Sequence, residues 1–236
     1  MKIILSILTI FSISISYSQL TTVKDKSDYN FWLYLPDDSV LNNQPPIMIF
    51  LHGRSLSGSD LTLVKKYGVI HEIENGTTFP AIVIAPQVPK GKSWDPDKIK
   101  SVLEYVQSQY VTDSNRVYVT GMSLGGYGTL NFAGAYPELV TAAVALCGGG
   151  NVSDGCDLAE VPLWIQHGNR DEAVPISESE KIVKAIKACN GGTNLKYTVV
   201  DGADHGDLER AFRTSEIYDW MFQYSKAIEA ITDEEK

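Results

Sequence analysis

Short apolar runs alternate along this chain with longer stretches in which apolar residues recur every three or four positions. The runs at 29–35, 47–51, 81–85, 117–120, 142–146, 163–167 and 195–200 predict strands. Several are near-continuous Ile/Val segments, the pattern of strands covered on both faces of a parallel sheet. Between them, amphipathic stretches at 59–67, 97–110, 124–136, 177–188 and 208–227 predict helices. In the second of these, Ile99, Val102, Leu103 and Val106 fall on one helical face and predict core. Strand and helix in regular alternation predict a doubly wound α/β architecture with a mostly parallel sheet.

The first eighteen residues break this pattern. Lys2 precedes an apolar stretch from Ile3 to Ile15, and Ser16-Tyr17-Ser18 supplies small residues at the cleavage positions, so residues 1–18 read as an export signal. The apolar stretch is shorter than the roughly 20 residues a membrane span needs. Residues 19–236 carry no repeat, low-complexity tract or linker and read as one domain without a membrane span, secreted or periplasmic. A formal net charge of −9 repels phosphate backbones, so nucleic acid is excluded as a partner and a neutral substrate is favoured over a polyanion. No signal of oligomeric state is present.

Three cysteines are an odd number for a compartment that permits disulfides. Cys147 and Cys156 flank a glycine-rich turn, and a bridge between them is the pairing expected; three unpaired thiols are the alternative. No Cys/His spacing resembles a metal site, and neither metal nor organic cofactor is expected.

The chemistry concentrates at Gly121-Met122-Ser123-Leu124-Gly125, a G-x-S-x-G pattern. By chance the bare pattern arises in roughly one chain in ten of this size. Its setting carries more weight: a strand precedes it and a helix follows, which places Ser123 on a tight turn where flanking side chains would collide. A serine hydroxyl becomes a nucleophile when a base removes its proton, and imidazole suits that task near neutral pH. Of the four histidines, His71 has no turn signal beside it, and His52 and His167 each precede a glycine at a strand end, where an imidazole more often braces a loop. His205 follows the last strand in a loop, just before the last predicted helix. It is the expected base. Asp171, just past the strand 163–167, is the expected acid; Glu172 is the nearest rival, with Asp154 or Asp157 fitting only if the glycine-rich turn folds back. Oxyanion donors are expected at the backbone N–H groups of Leu124 and Arg54. Trp94 lies in a Pro/Gly-flanked loop and reads equally as a ligand-binding aromatic or as an anchor packed on the sheet.

These segments together resemble the α/β-hydrolases. The residues that carry the likeness are Phe50-Leu51-His52-Gly53, Ala85-Pro86-Gln87, Ser93-Trp94, the stretch from Asn115 to Gly128, Pro162 to Gly168, Asp171 and His205. They are similar to small bacterial phospholipase/carboxylesterase-like esterases, related to polyhydroxybutyrate depolymerases and to feruloyl and acetylxylan esterases. The resemblance implies an α/β-hydrolase fold without a large cap and a Ser123–Asp171–His205 triad. It further implies an oxyanion loop at Arg54 and Trp94 lining the acyl or alcohol pocket. The implied substrate is a small-molecule or polysaccharide-linked carboxylic ester, cleaved through an acyl-enzyme. Two departures fall on the pocket: the loop reads Arg54-Ser55-Leu56-Ser57-Gly58, and Leu208 stands where relatives often carry Trp. A serine peptidase and a non-catalytic binding protein on the same scaffold are the alternative readings.

Overall fold

A computed structural model of the chain describes residues 18–189 and 192–226. The segment read as an export signal therefore lies outside the described residues, apart from Ser18. The strands are β1 (Gln19–Val23), β2 (Phe31–Leu35), β3 (Ile47–Leu51), β4 (Ile82–Pro86), β5 (Val117–Met122), β6 (Ala142–Leu146), β7 (Leu163–Gly168) and β8 (Leu195–Val200). The helices are α1 (Asp38–Leu41), α2 (Val69–Glu74), α3 (Pro96–Gln109), α4 (Leu124–Ala135), α5 (Gly155–Ala159), α6 (Ser177–Ala188) and α7 (Glu216–Phe222).

The eight strands among the described residues form one sheet in the order β1-β2-β4-β3-β5-β6-β7-β8. β1 and β2 are antiparallel additions at one edge, and the pairs from β4 to β8 are parallel. The central strands are buried on both faces, as their unbroken apolar runs require. Their side chains alternate between two cores. Ile47, Ile49 and Leu51 point into the layer with α3, α4 and α6, while Met48 and Phe50 point into the layer with α2 and α7. Burying a side chain such as Phe50 completely stabilises the fold by about 2–3 kcal/mol. Among the described residues no large cap covers the strand ends, and no helix is long and apolar enough to cross a membrane.

α3 starts where Asp95 accepts a hydrogen bond from the Asp97 N–H and Pro96 occupies the first helical position. The predicted core stripe Ile99, Val102, Leu103 and Val106 is buried on the sheet. The long helix expected over 208–227 is instead two pieces, a 3₁₀ helix from Gly206 to Arg213 and then α7, separated at Thr214 and Ser215. Likewise the stretch 59–67 forms a 3₁₀ helix, Leu61–Lys66.

The cysteine pairing corrects the expectation. Cys156 bonds to Cys189, and Cys147 is a free, buried thiol. Proximity in sequence is the wrong guide here, because Cys147 directly follows β6 inside the core while Cys156 rides on α5. That helix packs so closely on α6 that a Cβ added at Gly155 would meet the Ala185 Cβ at 2.7 Å. Cys189, directly after α6, thereby comes within 5.1 Å of Cys156 measured between Cα atoms, a normal span for a disulfide. Thiol titration of denatured, unreduced protein should return one thiol per chain. The bridge closes a separation of 33 residues, and its removal by Cys156→Ser with Cys189→Ser is expected to cost about 3–4 kcal/mol in denaturant unfolding.

Candidate active site

Ser123 stands between β5 and α4 with φ 58° and ψ −120°, a left-handed conformation that non-glycine residues adopt at a cost. Tight packing enforces it. A Cβ added at Gly125 would lie 1.7 Å from the Leu51 carbonyl oxygen, and one at Gly121 would lie 2.5 Å from the Gly125 carbonyl oxygen. The glycines thus let the elbow press directly against β3. The Ser123 N–H donates to the Leu146 carbonyl at 2.9 Å, which ties the turn to β6 as well.

The sheet order explains why other loops converge here. From β3 the chain crosses to β4 on one side, whereas β5 pairs on the other, so the loops leaving β3 and β5 diverge and open a crevice at the carboxyl ends of the strands. In it lies a cavity of about 660 Å³ lined by Ser123, His205, Arg54 and Leu124 together with Tyr67, Met122, Tyr127 and Val174. Four residues singled out in the sequence therefore share one cavity.

Asp171 lies behind His205. The His205 Nδ1–H donates to Asp171 Oδ2 at 2.7 Å, with the carboxylate fully buried and the imidazole one-quarter exposed. The other carboxylate oxygen accepts the N–H groups of Ala173 at 2.9 Å and Val174 at 2.8 Å. Held from both sides, Asp171 fixes the ring so that Nδ1 carries the proton and Nε2 is left as the basic nitrogen. Glu172, Asp154 and Asp157 make no such contact.

Arg54 opens a 3₁₀ helix, Arg54–Leu56, and Leu124 opens α4, and neither helix has a side-chain cap. The N–H at the first position of a helix has no acceptor inside that helix. Two backbone donors are thus available at the cavity wall beside Ser123.

Trp94 makes anchoring contacts and also faces a cavity. It is 5% exposed, its indole N–H donates to the His52 carbonyl at 3.2 Å, and its ring meets those of Tyr29 and His52 edge-on. It lines a neighbouring cavity of about 220 Å³ that shares Arg54, Leu124 and Tyr127 with the larger one. Leu208 is packed in the core and does not line the main cavity. His52 braces the loops, donating from Nδ1 to the Gly53 carbonyl at 2.7 Å and accepting the Val88 N–H at Nε2. Burial pushes its pKa down to about 4, so it stays neutral.

Cavity residues that sequence reasoning missed come from distant segments. Tyr67 follows the 3₁₀ helix Leu61–Lys66 and places its hydroxyl 3.1 Å from Ser55 Oγ; burial pushes its pKa up, so it stays a hydroxyl. No local motif marks it. Glu209 and Arg213 also line the cavity and form an ion pair at 2.5 Å, which their i,i+4 spacing could have signalled. Cys147 has its sulfur within 4.8 Å of Asp171 and His205 donor atoms, the geometry of a three-ligand metal group. Against that use, the His205 nitrogen facing Asp171 is occupied by their hydrogen bond, and burial pushes the Cys147 thiol up to about 12.

The family model for Esterase matches residues 23–230. The chain belongs to this esterase family. It is a carboxylic ester hydrolase with an α/β-hydrolase fold. The esterase is similar to acetylxylan esterase A of Emericella nidulans, 25% identical over 230 residues that cover 88% of this chain and 72% of that protein. It is similar also to feruloyl esterase B of Thermothelomyces thermophilus, 26% identical over 174 residues, covering 64% of this chain and 54% of that one. Among solved structures, a thermostable esterase superposes with a TM-score of 0.76 at 28% identity. That match covers 89% of this chain and 63% of the other, so the chain spans under two thirds of that protein.

Proposed function

We propose that the esterase hydrolyses its substrate through a Ser123 acyl-enzyme. Ser123 Oγ attacks the ester carbonyl carbon as His205 Nε2 takes the hydroxyl proton, and the carbonyl electron pair moves onto oxygen. The N–H groups of Arg54 and Leu124 would hold that oxyanion, with the α4 N-terminus adding favourable potential. Collapse breaks the bond to the alcohol oxygen, which leaves with the proton from His205. Water then attacks the acyl carbon by the same steps and restores Ser123. The observation that carries this reading is the hydrogen bond from His205 to the buried Asp171 carboxylate, which ends at the same cavity as a serine held at φ 58°.

The cavity also bears on the acyl group. At about 660 Å³ with a largely apolar wall of Tyr67, Met122, Tyr127 and Val174, it is in the range that encloses drug-sized ligands and far exceeds an acetyl group. We therefore favour bulky, aromatic acyl groups on a polysaccharide, in keeping with an exported protein. The names of the acetylxylan and feruloyl esterase relatives support an ester linked to polysaccharide. In a panel of acetyl, butyryl and feruloyl esters with one leaving group, kcat/KM for feruloyl should exceed that for acetyl by roughly tenfold or more. Equal or reversed preference contradicts the acyl assignment. An anilide with the same acyl group should turn over far more slowly than the ester, and a faster anilide would favour peptidase chemistry.

A further inference from the structure

His167, the residue before the last in β7, is fully buried, yet the chemistry above gives it nothing to do. Its surroundings are polar on both sides of the ring. The Val174 carbonyl can only accept, so the Nε2 that stands 2.9 Å from it carries a proton and donates. The same nitrogen lies 3.3 Å from Asp171 Oδ2, the oxygen that receives His205. Nδ1 is 2.7 Å from Ser179 Oγ on α6, and that hydroxyl is 2.8 Å from the Gly148 carbonyl.

The line of contacts continues to the nucleophile. Gly148 lies against the first turn of α4, where a Cβ added to it would meet the Gly126 carbonyl carbon at 2.5 Å and the Tyr127 nitrogen at 2.7 Å. His167 therefore stands between the turn that carries the acid and the backbone that carries Ser123. Its ring touches that turn twice, at the carboxylate oxygen and at the Val174 carbonyl, whose own N–H holds the other carboxylate oxygen. A side chain serving only to fill space would gain nothing from this polar arrangement, because each buried polar atom costs stability unless it is paired.

We propose that His167, acting with Ser179, is a positioning residue that fixes the Asp171 carboxylate against His205 and in register with Ser123. The proposal rests on the triad reading above and deepens it. His167→Phe keeps an aromatic ring of similar breadth but removes both nitrogens, whereas His167→Gln can return an amide donor near the Nε2 position.

Each variant is compared with wild type for kcat, KM and melting temperature, and for the low-field proton resonance of the His205 Nδ1–H bonded to Asp171. Misplacing a catalytic group by about 1 Å costs on the order of 10²-fold in rate, so His167→Phe should lower kcat roughly 10- to 100-fold with KM nearly unchanged. Its low-field resonance should shift or vanish, and His167→Gln should recover most of the rate and the resonance. Wild-type kcat and resonance in a folded His167→Phe overturn the proposal. So does an equal loss of kcat in both variants with the resonance intact, which marks a packing role. Should His167→Phe not fold, Ser179→Ala decides: a lowered kcat with an altered resonance supports the proposal, and wild-type values for both overturn it. The resonance is read without substrate. Failure of the triad reading is distinguished separately, by persistent turnover in Ser123→Ala.

Discussion

Ser123→Ala should lower kcat toward an activated aryl ester by about 10⁴- to 10⁶-fold while leaving the melting temperature close to wild type. The size follows from cooperation. In the proposed triad His205 and Asp171 activate one hydroxyl, and without it their arrangement has nothing to act on, so removing Ser123 forfeits the whole covalent route at once. What would survive is binding and the donors of the proposed oxyanion site, worth roughly 10³- to 10⁴-fold over water. Stability should change little or improve, because Ser123 is held at φ 58° whichever side chain it carries and its hydroxyl is not part of the apolar core. Loss of activity together with loss of fold would give the serine a structural role instead.

Gly125→Ala should have the largest effect on the fold. The added Cβ would stand 1.7 Å from the Leu51 carbonyl oxygen and 2.5 Å from its carbonyl carbon. Both are backbone atoms of β3, a strand hydrogen-bonded on each side, so no side chain can swing away to relieve the overlap. Either α4 lifts from the sheet or β3 shifts between its neighbours. Overpacking of cores commonly costs 1–3 kcal/mol, and a backbone collision belongs at or above the upper end, about 3 kcal/mol or more. For a chain of this size that corresponds to a melting temperature lower by roughly 6–12 °C. Because displacement of α4 also moves the Leu124 N–H, turnover should fall steeply even where the variant remains folded. Gly58→Ala is the control for stability, since its Cβ would meet nothing closer than the Leu63 side chain at 3.5 Å. A Gly125→Ala variant as stable as Gly58→Ala would mean that the close approach of elbow and β3 is wrong.

How much of this was legible in the sequence depended on how local the determinant is. The central strands announce themselves because both faces are buried, which leaves runs such as Ile82-Val83-Ile84 with no polar interruption. β1 escaped notice for the opposite reason: it is an edge strand of sequence Gln-Leu-Thr-Thr-Val with no fully buried residue. The break at Thr214 and Ser215 has neither glycine nor proline to mark it, so the apolar positions on both sides read as one helix. At the site, Ser123, Asp171 and His205 were readable because each follows a strand that the pattern identifies, and parallel strands deliver such positions to a common edge. Tyr67 and Cys147 were not, because each reaches the site through packing between distant segments. The disulfide fails in the same way, since only the contact of α5 with α6 brings Cys156 to Cys189. Trp94 shows a further limit: a loop aromatic beside a ligand cavity and one that holds the cavity wall look the same in sequence.

The central claim is that one serine, strained into place at the end of β5, becomes covalently bonded to the acyl group. Reaction with p-nitrophenyl diethyl phosphate, followed by digestion and mass mapping, tests it most directly, because the phosphoryl group is trapped on the atom that attacks. A single diethylphosphoryl adduct on Ser123, formed as ester turnover is lost and absent from His205→Ala under the same conditions, is the predicted result. An adduct on another residue, or full loss of turnover with Ser123 unmodified, would contradict it.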